Sequence, residues 1–297
     1  MYYTTNGGYK MRKLSILIVC LSILLSLASC VNSSDEISDV TDDLEPIAET
    51  SNDVLEDSNS IATNNNPTTE ENDTMLTNRS SSLVQATHKC SNGQNINYWL
   101  YTPDNPSSKM PLVVYLHGGT SKGSNLDLLM QHEGFPQYVQ QKKLSVPAYI
   151  VMPQAAEDIR AWDEMNDEVV DLVLHIIEEY DIDKKNVSLT GHSMGGIGTW
   201  LIGYNNPEIF SRIAPLSGTI SRRLKERANE VKFPVWSFVG TEQSDSNAYN
   251  SNVAFFPQLE EHNANTQLTI LQGYGHKEVV RAYLEYDITG WLIGIEP

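Results

Sequence analysis

Short runs of apolar residues recur along the last two thirds of this 297-residue chain. Most of the runs are continuous, which is typical of strands buried on both faces of a sheet. The first two runs are joined around Asn92-Gly93, a strong signal for an antiparallel hairpin. The predicted strands cover residues 84–90, 96–101, 112–116, 148–152, 187–189, 213–216, 235–239 and 268–271.

Helical spacing appears between these runs. Apolar residues follow an i, i+3, i+4, i+7 pattern from Val169 to Tyr180, with acidic residues on the opposite side. Residues 278–295 are predicted to be helical as well, although Gly290 weakens the second half. Strands that alternate with helices predict an α/β fold, with a mainly parallel sheet covered by helices on both faces. Residues 83–297 are therefore predicted to form one α/β domain.

The first 82 residues have a different composition. Three residues of a basic start (11–13) precede an apolar run at 14–28, and small residues lead into Cys30, as in a secretory signal. The ending resembles the lipobox of bacterial lipoproteins, which implies cleavage before Cys30 and lipidation of its sulfur. Residues 1–29 are therefore predicted to be a signal peptide that leaves the protein lipid-anchored outside the cytoplasm, at the bacterial cell membrane. An uncleaved anchor and an ordinary signal with an incidental cysteine are the alternatives.

Residues 30–82 are rich in Asn, Ser, Thr, Asp and Glu, and they are predicted to be a disordered tether because they hold too few apolar residues to form a core. Residues 31–82 contain thirteen acidic residues and one basic residue, and residues 1–29 contain three basic residues. Of the net charge of −18, about −9 is thus left on residues 83–297. This sign argues against nucleic acid as a partner.

Cysteine usage and known motifs indicate no cofactor. Cys90 is the only cysteine after residue 30, so it has no intramolecular disulfide partner, and it is interpreted as a small apolar strand residue. The chain has no Cys/His metal spacing, no phosphate-binding glycine loop and no dinucleotide fingerprint. Neither a metal nor a cofactor is expected.

The strongest chemical motif is Gly191-His-Ser193-Met-Gly195. An apolar strand precedes it and a helical run at 197–204 follows, which is the context of a nucleophile elbow. Small residues two positions before and after Ser193 allow the tight turn that exposes its hydroxyl group. The turn also places the Met194 N–H at a helix N-terminus, where it can stabilise an oxyanion. The alternative is a Gly/Ser-rich loop that matches by chance.

The order of three motifs resembles the α/β-hydrolase superfamily. His117-Gly118-Gly119 follows a strand, the elbow comes next, and Gly275-His276 comes last. Within the superfamily, residues 83–297 are similar to the branch of bacterial esterases, feruloyl-esterase-like proteins and prolyl-oligopeptidase-like proteins. The resemblance implies the fold and acyl-transfer chemistry.

The resemblance also implies roles for residues outside the elbow. His276, in a loop after the last strand, corresponds to the general base. The acid that orients it is expected after the strand at 235–239, where related proteins usually have Asp at the position of Gln243. Asp245 is favoured if the loop carries a small insertion, and Glu242 is the alternative.

Further positions follow from the same comparison. The second oxyanion donor is expected at Gly119, with Gly118 and Thr120 as alternatives. Trp162 and Tyr274 correspond to regions that border the substrate groove, where packing is the alternative role for Trp162.

The leading hypothesis is a lipid-anchored serine hydrolase that cleaves carboxylic esters of a small molecule or a glycan. One alternative is a serine peptidase of the prolyl-oligopeptidase-like type. The other, motivated by Gln243, is a non-catalytic surface lipoprotein that binds ligands with a hydrolase fold.

Overall fold

A computed structural model describes residues 81–295 of the chain. Within this range eight strands form a single sheet, and their positions agree with the eight predicted apolar runs. The strands are β1 (Ser82–Lys89), β2 (Asn95–Thr102), β3 (Leu112–Leu116), β4 (Tyr149–Pro153), β5 (Val187–His192), β6 (Arg212–Leu216), β7 (Val235–Gly240) and β8 (Thr266–Leu271).

The sheet order is β1-β2-β4-β3-β5-β6-β7-β8. The first two strands form the predicted antiparallel hairpin, with Ser82 opposite Thr102 and Lys89 opposite Asn95. β2 pairs antiparallel with β4, and all later pairings are parallel. The carboxyl ends of the central parallel strands therefore meet at one edge of the sheet, where loops carry ligand-binding groups in folds of this kind.

Helices cover both faces of the sheet, as the alternating pattern predicted. The α-helices are α1 (Leu128–Gln131), α2 (Phe135–Gln140), α3 (Asn166–Glu179), α4 (Met194–Asn205), α5 (Arg222–Lys225), α6 (Ser246–Glu260), α7 (Ala282–Glu285) and α8 (Ile288–Leu292). Short 3-10 turns lie at Gly119–Ser121, Trp162–Met165, Ala228–Glu230, Gln243–Asp245 and Glu278–Arg281.

Strands β3, β4 and β7 are buried on both sides because two apolar clusters sandwich the sheet. Alternate residues of β3 divide between the clusters: Leu112, Val114 and Leu116 point to one, and Val113 and Tyr115 to the other. Residues of α3, α4 and α6 complete the first cluster, and residues of α2, α7 and α8 complete the second. Side chains alternate between the two faces of a pleated strand, so every position of β3 contributes to the core.

The C-terminal segment corrects one prediction. Residues 278–295 were expected to be helical, with the weak point at Gly290, but the chain forms a 3-10 turn, α7 and α8, with a break at Tyr286–Asp287. Asp287 caps α8 by accepting a hydrogen bond from the Gly290 N–H at 2.9 Å. A Cβ at Gly290 would lie 2.2 Å from that carboxylate. Gly290 therefore allows the cap that starts a new helix.

Some predictions lie outside the described residues: the signal at 1–29, lipidation of Cys30 and almost all of the tether at 30–82. At the predicted domain boundary, β1 begins at Ser82, one residue earlier than position 83. In residues 81–295 no helix is both long enough and apolar enough to span a membrane.

Candidate active site

Ser193 occupies the tip of a sharp turn between β5 and α4. Its backbone has φ 60° and ψ −120°, a conformation that non-glycine residues rarely adopt and that costs about 1–3 kcal/mol. The neighbouring glycines leave no room for a side chain: a Cβ on Gly195 would lie 1.9 Å from the Leu116 carbonyl oxygen, and one on Gly191 would lie 2.6 Å from it. The turn packs directly against the end of β3, which holds the strained serine in place.

His276 connects Ser193 to Asp245. Its Nε2 atom lies 2.7 Å from Ser193 Oγ, and its Nδ1 atom lies 2.7 Å from Asp245 Oδ1. The three residues come from loops after β5, β7 and β8. The imidazole is about one third exposed, whereas the Asp245 side chain is fully buried. A carboxylate in this position holds the Nδ1–H tautomer, so that Nε2 faces the serine as a proton acceptor.

The path of the loop after β7 explains why Asp245 occupies this position. The residues beyond Gly240 include one 3-10 turn, Gln243–Asp245, which folds Asp245 back under the loop. Its Oδ2 atom accepts the Gly240 N–H at 2.7 Å, while Oδ1 faces His276. Glu242 and Gln243 are exposed to solvent. The structure thus brings Asp245 to His276, and it leaves the side chain of Glu242 outside this contact.

Main-chain hydrogen bonds join the loop of the acid to the loop of the histidine. The Glu242 N–H donates to the Tyr274 carbonyl at 3.0 Å, and the His276 N–H donates to Ser244 Oγ at 3.0 Å. A Cβ on Gly275 would lie 2.7 Å from Ser244 Oγ. The glycine before His276 therefore permits this close approach of the two loops.

The loop after β3 borders Ser193. A Cβ on Gly118 would lie 3.5 Å from Ser193 Cβ, whereas one on Gly119 would meet nothing within 4 Å. The Gly118 carbonyl lies 2.6 Å from His117 Nδ1 and accepts the Ser121 N–H. In a trans peptide the C=O and the following N–H point in opposite directions. Fixing the Gly118 carbonyl therefore also fixes the direction of the Gly119 N–H.

His117 is a buried neutral histidine that supports this loop. Its Nε2 atom accepts the Ala155 N–H at 2.9 Å, so the ring proton is on Nδ1 and is donated to Gly118. Burial lowers the pKa of His117 to about 4. The sequence showed His117 only as part of the glycine motif, and its buttressing contacts depend on residues far away in the chain.

Trp162 does not line a substrate wall, in contrast to one expectation. Its side chain is fully buried, its indole N–H donates to the His117 carbonyl at 2.9 Å, and its ring meets the His117 ring edge-on at 5.0 Å. A Cβ on Gly198 would lie 2.5 Å from Trp162 Cβ, so the glycine in α4 makes room for it. Trp162 supports the loop from beneath, which agrees with the packing alternative.

Tyr274 lies half-buried beside the histidine loop, and its hydroxyl donates to Glu285 in α7. Its backbone carbonyl accepts the Glu242 N–H, as described above. These contacts give Tyr274 a part in holding the loop, and it stays a predicted rather than an observed substrate contact.

His192 is a residue of the site that the sequence did not single out. Its Nε2 atom lies 2.7 Å from the backbone carbonyl of His276, which can only accept, so His192 donates. Desolvation, followed by the nearby His276, lowers the pKa of His192 to about 4. This bond ties the backbone of His276 to the residue before Ser193. The sequence placed His192 next to Ser193 in the elbow. Its hydrogen-bond partner, the His276 carbonyl, became known only from the fold.

A cavity of about 340 Å³ adjoins these residues, and its lining includes Thr120, His192 and Lys277. Arg281 and Glu133 also line it and form an ion pair at 3.2 Å. Arg281 lowers the pKa of Glu133 by hydrogen bonding to its carboxylate. The size is in the range of small-molecule sites, and all of the lining residues except Val280 are polar or charged.

The sheet order, the turn at Ser193 and the three loops define the α/β-hydrolase fold. The chain belongs to the esterase family, because the family model described as "Putative esterase" matches residues 90–287, about two thirds of the chain.

Relatives and solved structures agree with this family. The chain is 27% identical to acetylxylan esterase A of Aspergillus awamori over 159 residues, which cover 52% of each protein. It is 27% identical to feruloyl esterase B of Neurospora crassa over 158 residues, which cover 49% of this chain and 51% of that one. The chain thus spans about half the length of these relatives.

Among solved structures, a thermostable esterase matches with a TM-score of 0.59 and 25% identity, covering 71% of this chain and 62% of the other. The feruloyl esterase module of Clostridium thermocellum, solved in complex with sinapinate, matches with a TM-score of 0.52 and 16% identity, covering 73% and 87%. The second match is a likeness of fold alone.

Proposed function

We propose that this protein is a serine hydrolase that cleaves carboxylic esters through an acyl-enzyme. The observation that carries the proposal is the pair of 2.7 Å contacts of His276, one to Ser193 Oγ and one to Asp245 Oδ1. A serine hydroxyl is a weak nucleophile until an adjacent base removes its proton, and the imidazole is within reach to do so.

In the proposed reaction, Ser193 Oγ attacks the ester carbonyl while its proton moves to His276 Nε2. Asp245 stabilises the imidazolium that forms. The negative charge on the carbonyl oxygen is held by the N–H groups of Met194 and Gly119. Met194 is the first residue of α4, so its N–H has no partner within the helix. The imidazolium then protonates the leaving alcohol, and water, activated by His276, releases the acid.

The proposed substrate class is the acyl ester of a plant polysaccharide or of a small molecule derived from it. Two considerations support this. The relatives are named acetylxylan and feruloyl esterases, and most residues that line the cavity beside His192 are polar or charged, Val280 being the exception. Polar side chains at such a site can hydrogen-bond the hydroxyl groups of a sugar. Membership of the esterase family favours ester cleavage over the peptidase and binding-module alternatives.

The test uses the purified chain on p-nitrophenyl acetate, p-nitrophenyl butyrate, methyl ferulate and acetylated xylan, beside Ser193→Ala. We expect ester hydrolysis that is abolished in Ser193→Ala, with acetate or ferulate released from the polysaccharide-derived substrates. Ser246→Ala, at a half-buried serine that begins α6, is the matched control and should retain the wild-type rate. Unchanged hydrolysis in Ser193→Ala would contradict the proposal.

We further propose that residues 1–29 direct export, that Cys30 carries a lipid anchor, and that residues 30–82 hold the domain away from the membrane. The support is the basic, apolar and small-residue order ending at Cys30 and the acidic composition that follows it. In a bacterial host fed an alkyne fatty acid, the protein should be labelled and should fractionate with membranes. Cys30→Ser should lose both properties, and a labelled Cys30→Ser variant would refute the anchor.

A further inference from the structure

A second group of chemically reactive side chains lies where the β1–β2 hairpin meets α3. His88 and Cys90 are two residues apart at the end of β1, and Asp171 and His175 are four residues apart on α3. Residues at i and i+2 of an extended segment share a face, as do residues at i and i+4 of a helix. Two elements distant in sequence therefore present ligand-type side chains to each other.

The distances within this group are short. The Nε2 of His88 lies 2.5 Å from Asp171 Oδ1, and the ligand atoms of His88, Cys90 and Asp171 all lie within 4.8 Å of one another. The His88 ring is stacked on that of His175 at 4.5 Å, which restricts its orientation. Cys90 is 4% exposed, while the side chains of His88 and Asp171 are 14% and 22% exposed. The group is thus ordered by packing, yet it is open to ions from one side.

We propose that His88, Cys90 and Asp171 form a binding site for a divalent transition metal, with Zn²⁺ as the preferred ion. Zn²⁺ combines thiolate, imidazole and carboxylate ligands at about 2.0–2.3 Å in tetrahedral geometry, so its ligand atoms are about 3.4 Å apart. Side-chain movements would bring the three atoms to that spacing, and they include a separation of His88 Nε2 from Asp171 Oδ1, which now lie 2.5 Å apart. The fourth position would be filled by water.

The Cys90 thiol faces the helix that supplies the carboxylate ligand. Its Sγ atom lies 3.9 Å from the backbone carbonyl oxygen of Glu168, which is three residues before Asp171 on α3. When the metal–sulfur bond forms, the thiol proton leaves to solvent, and the Nε2 proton that His88 shares with Asp171 leaves as well.

A second ring of contacts orients the ligands. The other oxygen of Asp171 accepts the Ser91 N–H at 2.9 Å, and the Asn92 amide donates to Glu168 at 2.8 Å. Such outer contacts fix the direction of metal ligands. A bound ion would clamp the hairpin at the edge of the sheet to α3, which directly follows the turn that holds Trp162. The proposed role is structural, and it does not depend on ester hydrolysis.

The experiment titrates Co²⁺, and then Zn²⁺, into the metal-stripped full chain. We expect one Co²⁺ per chain with tetrahedral d–d bands and a sulfur-to-cobalt charge-transfer band, both displaced by Zn²⁺, together with a higher Tm in Zn²⁺. Cys90→Ser should lose the charge-transfer band. His88→Gln and Asp171→Asn should weaken Zn²⁺ binding at least about 100-fold. Asp171→Asn keeps an oxygen for the Ser91 N–H, so it tests ligation with little change in folding.

His262→Gln, at an exposed histidine outside the group, is the control and should bind as the wild type does. Cys20 and Cys30 are unchanged in every variant, so a charge-transfer band that survives in Cys90→Ser would assign the thiolate to one of them and overturn the proposal. Absence of stoichiometric Co²⁺ and Zn²⁺ binding in the folded wild type would also overturn it. Ser193→Ala should bind metal normally, which separates this site from the proposed esterase site.

Discussion

The substitution Asp245→Asn tests the proposed site most sharply, because the structure dictates how the new amide must be oriented. Asp245 Oδ2 accepts the Gly240 N–H at 2.7 Å, and Oδ1 accepts from His276 Nδ1 at 2.7 Å. A backbone N–H can only donate, so the asparagine must turn its oxygen toward Gly240. Its NH2 group then faces His276 Nδ1, which has to become an acceptor.

That orientation reverses the tautomer of His276. The ring proton moves to Nε2, which then donates to Ser193 and can no longer remove its proton. The same substitution in a serine protease lowers kcat about 10⁴-fold while the geometry persists. We expect a comparable loss of about 10⁴-fold here, equivalent to about 5.5 kcal/mol in the activation free energy. Stability should change little, because the asparagine still accepts from Gly240.

The assay is steady-state hydrolysis of p-nitrophenyl acetate by the wild type and by Asp245→Asn, with thermal unfolding to verify folding. Glu242→Gln is the matched control, since Glu242 is exposed in the same loop, and it should retain activity within about twofold of the wild type. Retention of more than about one tenth of the activity in Asp245→Asn would refute the tautomer argument. A large loss in Glu242→Gln would instead assign the acid to Glu242.

Three further predictions concern the supports of the site. Gly195→Ala should lower the free energy of unfolding, measured in urea, by at least about 3 kcal/mol, because its Cβ would lie 1.9 Å from the Leu116 carbonyl oxygen. Gly119→Ala is the control: its Cβ would have no atom within 4 Å, so the free energy of unfolding should be nearly unchanged. His192→Phe should lower kcat about tenfold, because it removes the hydrogen bond to the His276 carbonyl. His192→Gln keeps a hydrogen-bond donor and should therefore retain most of the wild-type kcat. Equal kcat values in the two variants would contradict this role. The pKa values of His117 and His192 are lowered to about 4 in the folded protein. Between about pH 6.5 and pH 4 the unfolded chain therefore binds more protons than the folded one. The free energy of unfolding should fall through this window as the pH decreases. Stability that is constant from pH 7 to pH 4.5 in urea titrations would show that these histidines are not buried and neutral.

The local pattern was sufficient for the strands and for the serine turn. A continuous run of five apolar residues, such as 112–116, is typical of a strand that is buried on both faces. Gly191-x-Ser193-x-Gly195 predicts a tight turn that only small residues at the glycine positions allow. The C-terminal segment was less predictable. Its apolar residues are spaced as in a single helix. The break at residues 286–287 depends on the hydrogen bond from the Gly290 N–H to the Asp287 side chain, which starts a new helix and which the spacing of apolar residues does not reveal.

The order of residues along the chain by itself determined the α/β class and the elbow at Ser193, because these depend on neighbours in sequence. His276 was identified through the resemblance to the α/β-hydrolase superfamily. Only the tertiary structure decided that Asp245 rather than Glu242 faces His276, that Trp162 is buried beneath His117, and that His192 holds the His276 backbone. It alone brought His88 and Cys90 to Asp171, about 80 residues away. The physical reason is that each of these contacts joins segments whose separation is set by sheet order and loop path, and a local pattern contains neither.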